Sequence, residues 1–123
     1  MKFKKKNTKK RVFCFDLDNT ICKTNGNKYK SSVPYKKAIK IINSLYDNGH
    51  IIKIFTARFM GRSNDNYKIA NKRAYRFTFK QLKKWNLKFH KLFVNKPSSD
   101  IYVDDKSYGY NRDWQIKFIK FIK

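Results

Sequence analysis

The apolar run Val12–Phe15 is the feature that most constrains the fold of this 123-residue chain. Its β-branched and aromatic residues predict a strand that is buried on both faces. The run stops at Asp16 and Asp18, which flank one leucine, and Asn19–Thr20 then have the chemistry of a turn. We therefore expect two carboxylates where a buried strand gives way to a loop, which is where ligands commonly bind in open α/β sheets.

The same arrangement recurs along the chain. Three further apolar runs predict strands, each followed by polar residues: Ile51–Phe55 before Thr56, Lys91–Val94 before Lys96, and Ile101–Val103 before Asp104 and Asp105. Amphipathic spacing predicts helices between them: one beginning at Pro34, one over roughly Tyr67–Trp85 with Asn86 as its cap, and one opening at Asp113.

This alternation predicts an α/β protein with a three-layer, Rossmann-like architecture. A central, mostly parallel sheet would be covered on both faces by helices in right-handed crossovers. We expect a single domain over residues 11–123 and a basic, flexible lead-in over residues 1–10. Asp16, Thr56, Lys96 and Asp104 each follow a separate strand, so they are expected to converge in one crevice at the edge of the sheet.

The loop Ile21–Ser32 contains Asn25-Gly26-Asn27, which favours a tight turn. The segment is therefore either a small hairpin flap over Asp16 or an ordinary surface loop. His50 and His90 precede strands, and we interpret them as surface or boundary residues.

The formal charge of +23 raises the question of a polyanionic partner. Lysines fall on nearly every predicted surface, so a weakly specific positive field that attracts anionic substrates is favoured over a dedicated polyanion-binding surface. Nucleic acid is thus a less favoured partner. All eight acidic residues are aspartates, and four of them form two tight pairs after apolar runs. Such sparing use indicates that the pairs are placed for chemistry.

No run has the length of a transmembrane helix or of a signal-peptide core. Cys14 and Cys22 have no CxxC spacing, and we interpret both as reduced thiols. These features predict a soluble, cytoplasmic protein.

Four carboxylates in one crevice would repel one another by about 4 kcal/mol per pair at 4 Å and an effective dielectric constant of 20. Mg²⁺ would compensate for the charge of Asp16, Asp18, Asp104 and Asp105, and it is commonly held by one or two carboxylates together with a substrate phosphate. Lys96 and Thr56 would offer the positive charge and the hydroxyl donor that phosphate oxygens require.

This set of residues resembles the haloacid dehalogenase superfamily of phosphohydrolases over nearly the whole chain. The resemblance rests on Asp16-Leu17-Asp18-Asn19-Thr20, on Thr56 in Phe-Thr-Ala-Arg, on Lys96 and on Asp104-Asp105. The longer phrases Phe-Thr-Ala-Arg-Phe-Met-Gly-Arg, Lys-Pro-Ser-Ser-Asp and Ile-Tyr-Val-Asp-Asp-Lys look like a small branch associated with capsule or surface-polysaccharide biosynthesis.

The resemblance implies a role for each matching residue. Asp16 would be the nucleophile that forms an aspartyl-phosphate, and Asp18 would be the general acid and then the general base. Thr56 and Lys96 would bind the transferred phosphoryl group, and Arg58 is a weaker candidate for a substrate contact. Mg²⁺ would be held by Asp16, by the backbone carbonyl of Asp18, by Asp104 and, more weakly, by Asp105.

The gaps between these motifs have no room for the cap domain that many members of the superfamily carry. The predicted site is either open to a bulky substrate or covered by a neighbouring subunit in a homo-oligomer. The expected function is Mg²⁺-dependent hydrolysis of a sugar phosphate or polysaccharide precursor. One alternative is a phosphatase for nucleotide or nucleic-acid ends. The other is an anion-binding module, either a catalytically idle relative or a protein held to anionic surfaces by its basic ends.

Overall fold

A computed structural model describes residues 9–59, 67–97 and 99–122. Within them the strands are β1 (Val12–Asp16), β2 (Cys22–Lys23), β3 (Val33–Pro34), β4 (Ile51–Phe55) and β5 (Lys91–Phe93). The helices are α1 (Lys36–Asp47), α2 (Tyr67–Lys84) and α3 (Trp114–Ile122), with a 3₁₀ turn at Tyr29–Ser31. Strands β1, β4 and β5 form a parallel sheet in that order, and β2 and β3 form a separate antiparallel pair.

The predicted α/β class and the parallel sheet are confirmed, and the arrangement is that of a small Rossmann-like domain. Residues 9–59, 67–97 and 99–122 include no cap domain. The core lies on one face of the sheet. In the parallel register Phe13 is beside Ile52, and Phe15 is beside Ile54. Phe13 and Phe15 form edge-to-face contacts with Phe118 of α3, and α3 also packs against α1.

The layer arrangement differs from the prediction. In the strand order β1–β4–β5 both crossovers move in the same direction, so right-handed connections place α1 and α2 on the same face. Val12 and Phe93 project from the other face and are 59% and 38% exposed, and Cys14 beside them is exposed as well. Within residues 9–59, 67–97 and 99–122, the helices therefore cover one face of the sheet and not both.

The predicted fourth strand is wrong. Ile101 and Val103 are 79% and 95% exposed and lie in irregular backbone. Local contacts hold this segment instead, because the Tyr102 hydroxyl donates to the Pro97 carbonyl and the Tyr102 ring lies 4.2 Å from the Lys96 ammonium.

The helices lie close to their predicted positions. Helix α1 begins at Lys36, because Pro34 pairs with Cys22 in the β2–β3 arm and does not open the helix. Helix α2 ends one residue before the expected Trp85, and Asn86 follows in the left-handed region (φ 58°) that terminates helices. The lead-in residues 1–8 and the polar stretch 61–66 lie outside the described residues.

The pair β2–β3 confirms the hairpin interpretation of the Ile21–Ser32 loop. Gly26 has φ 56°, a conformation that glycine adopts without steric cost, at the tip of this segment. We call residues 22–34 the flap. Among the described helices, none is long and apolar enough to cross a membrane.

Both histidines accept a hydrogen bond from a backbone N–H group in or next to the sheet. The Nδ1 atom of His50 accepts the Arg11 N–H at 3.0 Å, and the Nδ1 atom of His90 accepts the Ile52 N–H at 3.0 Å. His50 is buried and edge-on to Phe13, so its interpretation as a boundary residue understates its packing.

We expect the free energy of unfolding to fall as the pH is lowered through 6.5, the ordinary pKa of histidine. Burial, with Arg11 as a smaller cause, lowers the pKa of His50. Between the folded and unfolded pKa values the folded state binds fewer protons, so stability that is present at neutral pH is lost on acidification. For one group the loss is at most about 1.4 kcal/mol per pH unit.

Urea unfolding at about pH 7.5 and about pH 5.5 would measure this effect. The His50→Asn variant keeps an acceptor that does not titrate, so its stability should depend less on pH. An equal pH dependence in the variant would assign the effect to other groups.

Candidate functional site

A cleft of about 250 Å³ opens at the carboxyl end of the parallel strands. Five of the predicted site residues line it: Asp16, Asp18, Thr56, Arg58 and Lys96. Asp16 is the last residue of β1, Thr56 directly follows β4, and Lys96 lies three residues beyond β5. The convergence predicted from the strand ends is confirmed for these positions.

Asp16 is the accessible carboxylate of the cleft, with 39% of its side chain exposed. The Lys96 Nζ donates to its Oδ1 at 3.1 Å, and the Thr20 hydroxyl donates to its Oδ2 at 3.3 Å. The ammonium of Lys96 is itself held between the rings of Phe55 and Tyr102. A carboxylate and a cation are thus fixed side by side and face the same space.

Asp18 is held much more firmly. The Arg58 Nε lies 3.0 Å from each of its carboxylate oxygens, and the Nη2 donates to Oδ1 at 2.8 Å. The Thr24 hydroxyl donates to the same Oδ1 at 2.6 Å. Forked, charge-assisted contacts of this kind fix the plane of the carboxylate as well as its position.

Arg58 joins three parts of the molecule. Its side chain is fully buried, its Nη1 donates to Gln81 of α2 at 2.6 Å, and its guanidinium lies 4.9 Å from the centre of the Tyr29 ring in the flap. Each of the three guanidinium nitrogens already has a partner in the protein, so this geometry gives no support to the predicted substrate contact. Arg58 instead positions Asp18.

Thr56 is 1% exposed, and its Oγ1 accepts the backbone N–H of Arg58 at 3.2 Å. The hydroxyl proton is then the part that a phosphate oxygen would use. The Thr56 carbonyl also accepts the Lys96 N–H at 3.2 Å, so the backbone at the end of β4 helps to place the lysine.

Asp104 and Asp105 lie outside the cleft. Both are exposed, and Asp104 forms a local turn in which its Oδ1 accepts the Lys106 N–H at 2.8 Å. In the described part of the chain, no three His, Cys or Asp side chains form a group that could hold a metal ion. The cleft therefore contains two of the four predicted carboxylates, and each is already paired with a cation.

A sparse magnesium site fits this arrangement better than the predicted site, in which Asp104 and Asp105 joined Asp16 and the Asp18 carbonyl as ligands. Asp16 supplies one accessible carboxylate, and Mg²⁺ tolerates one or two protein carboxylates when water and substrate oxygens complete its shell. The mutual repulsion that favoured a metal in the sequence is absent in this geometry, because Lys96 and Arg58 balance the two charges.

Cysteine chemistry does not compete for this site. Burial raises the pKa of Cys22 to about 11, and its Sγ lies 3.7 Å from the Asp18 Oδ1. A neutral, buried thiol is a poor nucleophile.

The sequence analysis did not identify several residues that line the cleft or support its side chains. Tyr29 and Tyr102 border the cleft, and Gln81 anchors Arg58 from the middle of α2. The signal for Gln81 was its place beside Leu82 on the buried side of α2, where a polar residue needs a partner. The tyrosines had no such signal in a chain so rich in aromatic residues.

No known family model matches the sequence, and no curated protein matches it. The fold is similar to a crystal structure of an MCSG target protein from Vibrio cholerae, with a TM-score of 0.73. The likeness covers 92% of this chain and 99% of that chain, at 22% sequence identity. At this level of identity the likeness shows a shared fold.

Proposed function

We propose that this protein is a phosphomonoester hydrolase of the haloacid dehalogenase type, with Asp16 as its nucleophile. The observation that carries the proposal is the accessible Asp16 carboxylate, 3.1 Å from the Lys96 ammonium, at the end of a parallel strand. A carboxylate nucleophile beside a fixed cation is the combination that phosphoryl transfer needs, because charge neutralisation and positioning supply most of its rate.

In the proposed reaction a carboxylate oxygen of Asp16 attacks the phosphorus atom, and the ester P–O bond breaks. The leaving alkoxide takes a proton, and an aspartyl-phosphate remains. Water then attacks the phosphorus of this intermediate, so the acyl P–O bond breaks and inorganic phosphate leaves. Lys96 offsets the charge of the phosphoryl oxygens, and the Thr56 hydroxyl donates to one of them.

Asp18 is the proposed source and acceptor of the transferred proton. In the described arrangement Arg58 occupies both of its oxygens. Proton transfer therefore requires at least one of these contacts to lengthen when the substrate binds.

Mg²⁺ remains part of the proposal, with Asp16 and the backbone carbonyl of Asp18 as its proposed protein ligands. When bound, the ion would supply positive charge to the transferred phosphoryl group. Asp104 and Asp105 are not needed for such a sparse site.

The first test is phosphate release from an aryl phosphate by the purified protein. We expect release with Mg²⁺, a loss of more than about tenfold with excess chelator, and recovery when Mg²⁺ is restored. Release that is unaffected by chelator would contradict the magnesium requirement, while leaving the role of Asp16 to be judged separately.

The proposed substrate is a sugar phosphate or a related polysaccharide precursor, as the resemblance to the capsule branch implies. A phosphorylated nucleic-acid end is the second candidate, and the dense positive charge of α2 favours it. Comparing kcat/KM for sugar phosphates with kcat/KM for 3′-phosphorylated oligonucleotides separates the two, since a tenfold preference corresponds to about 1.4 kcal/mol of transition-state binding.

A further inference from the structure

A second concave surface lies on the outer side of α2, apart from the carboxylates of the cleft. It has a volume of about 510 Å³ and is lined by Lys72, Arg73, Arg76, Phe77 and Lys80. All four cations are exposed, and none forms a described ion pair with an acidic side chain. We call these five residues the α2 groove.

We propose that the α2 groove binds single-stranded nucleic acid. Its charge has one sign along the whole helix, because α2 contains no acidic residue. Lys72, Arg76 and Lys80 are spaced by four residues, so they form a row along one side of the helix with neighbours about 6 Å apart. This spacing is close to the distance between successive phosphates in an extended single strand.

One aromatic ring lies among these cations, and a further pair of rings lies on a neighbouring side of α2. Phe77 lines the groove and is held edge-on by Phe59 at 5.8 Å. Tyr75 is 43% exposed and stacks on Phe79 at 5.8 Å, close to the Lys83 ammonium. Bases of any sequence stack on such rings, whereas a duplex would present only its phosphates.

The apolar side of α2 argues against an anionic membrane as the occupant. Helices that lie on membranes bury an apolar face in the lipid. The apolar side of α2 is already used, because Ala74 and Leu82 are buried in the core of the protein.

The groove adjoins the cleft through aromatic contacts. The ring of Phe59 contacts Phe77 on one side and Tyr29 on the other, and Tyr29 lines the cleft. The binding proposal stands on the groove alone and holds whether or not the cleft hydrolyses phosphate esters.

The test is the fluorescence anisotropy of a labelled, unphosphorylated 12-nucleotide single strand, at about 0.1 M salt and over a salt titration. Three proteins are compared: the wild type, the triple variant Lys72→Gln/Arg76→Gln/Lys80→Gln, and the triple variant Lys36→Gln/Lys37→Gln/Lys40→Gln on the exposed side of α1. Both variants lose three positive charges, and all six side chains are exposed. Comparing them therefore distinguishes binding at the α2 groove from non-specific attraction to the positive charge of the whole protein.

The α2 variant loses three phosphate contacts, so its binding at about 0.1 M salt should be about 100-fold weaker. The plot of log association constant against log salt concentration should also become shallower, by about two units of slope. The α1 variant should lose less than about threefold. Phe77→Leu should weaken binding by a larger factor at high salt than at low salt, because base stacking contributes a larger share of the affinity when charge is screened.

Equal losses in the two triple variants, or no loss in the α2 variant, would overturn the proposal. Equal or tighter binding of a duplex of the same length would overturn the assignment to single strands. Binding of phosphatidylglycerol vesicles that exceeds oligonucleotide binding and depends on Arg76 would assign the groove to a membrane instead.

Discussion

Replacing Arg58 by methionine should lower the free energy of unfolding by about 3 kcal/mol, which corresponds to a fall of roughly 10 °C in melting temperature for a domain of this size. The variant leaves Asp18 charged without its cation and leaves Gln81 without its donor. Removing one partner of a fully buried pair costs about 3–5 kcal/mol. The lower end applies here, because the Asp18 side chain retains 22% exposure.

The molecule offers a matched control for this prediction. Lys88 and Asp47 form an ion pair at 2.7 Å, but their side chains are 48% and 57% exposed. Lys88→Met should therefore change stability by no more than about 1 kcal/mol. Similar losses for the two variants would mean that burial does not strengthen the Arg58–Asp18 pair.

Two further variants separate charge from geometry. The double variant Arg58→Met/Asp18→Asn removes the unpaired charge and should be more stable than Arg58→Met alone. Arg58→Lys keeps the charge but loses the fork that spans both carboxylate oxygens, so it should recover only part of the stability. Full recovery by lysine would show that the forked contacts add nothing beyond charge.

The Asp16→Asn variant should lower phosphate release by at least about 1,000-fold, because an amide cannot form the acyl phosphate. The same variant should stay within about 1 kcal/mol of the wild type in stability, since Asp16 is 39% exposed and asparagine still accepts a hydrogen bond. Activity measured beside circular dichroism and thermal unfolding distinguishes lost chemistry from lost structure. Turnover that survives in the folded variant would exclude Asp16 as the nucleophile.

Two aspartates provide controls of identical chemistry. Asp113→Asn, at the exposed start of α3, should leave turnover unchanged. Asp104→Asn tests the metal role predicted from the sequence: because Asp104 lies in an exposed turn outside the cleft, we expect an effect of less than about threefold. A loss comparable to that of Asp16→Asn would support its predicted role as a magnesium ligand.

Residues at strand ends were predictable because a single physical rule places them. Val12–Phe15 and Ile51–Phe55 are apolar enough to require burial, and parallel strands bring the polar residues that follow, Asp16 and Thr56, to the same edge. Asp104 and Asp105 were misplaced in space because an apolar tripeptide does not by itself commit the chain to a strand. Residues Ile101–Val103 are exposed and form no strand, although β1 lies at an edge of the described sheet. The segment is held by contacts of Tyr102 with Pro97 and Lys96, which the spacing of apolar residues does not reveal.

The role of Arg58, in contrast, could not be predicted from the sequence. The sequence offered it only as a weak candidate for a substrate contact, and its partners Asp18 and Gln81 are 40 and 23 residues away. Such partners depend on how the flap and α2 pack, and one-dimensional spacing carries no information about that packing. Helix α2 itself was predicted almost to the residue, because its periodicity is local.

The contacts of the flap link it to the network that holds the Asp18 carboxylate. The Tyr29 carbonyl accepts from Gln81 at 2.8 Å, and the Ser32 hydroxyl lies 2.6 Å from Thr24 and 3.4 Å from Arg58. Lifting the flap would disturb the same network that clamps Asp18. If Asp18 transfers protons as proposed, the admission of a ligand beneath the flap and the release of the Asp18 carboxylate from its clamp would be two parts of one movement.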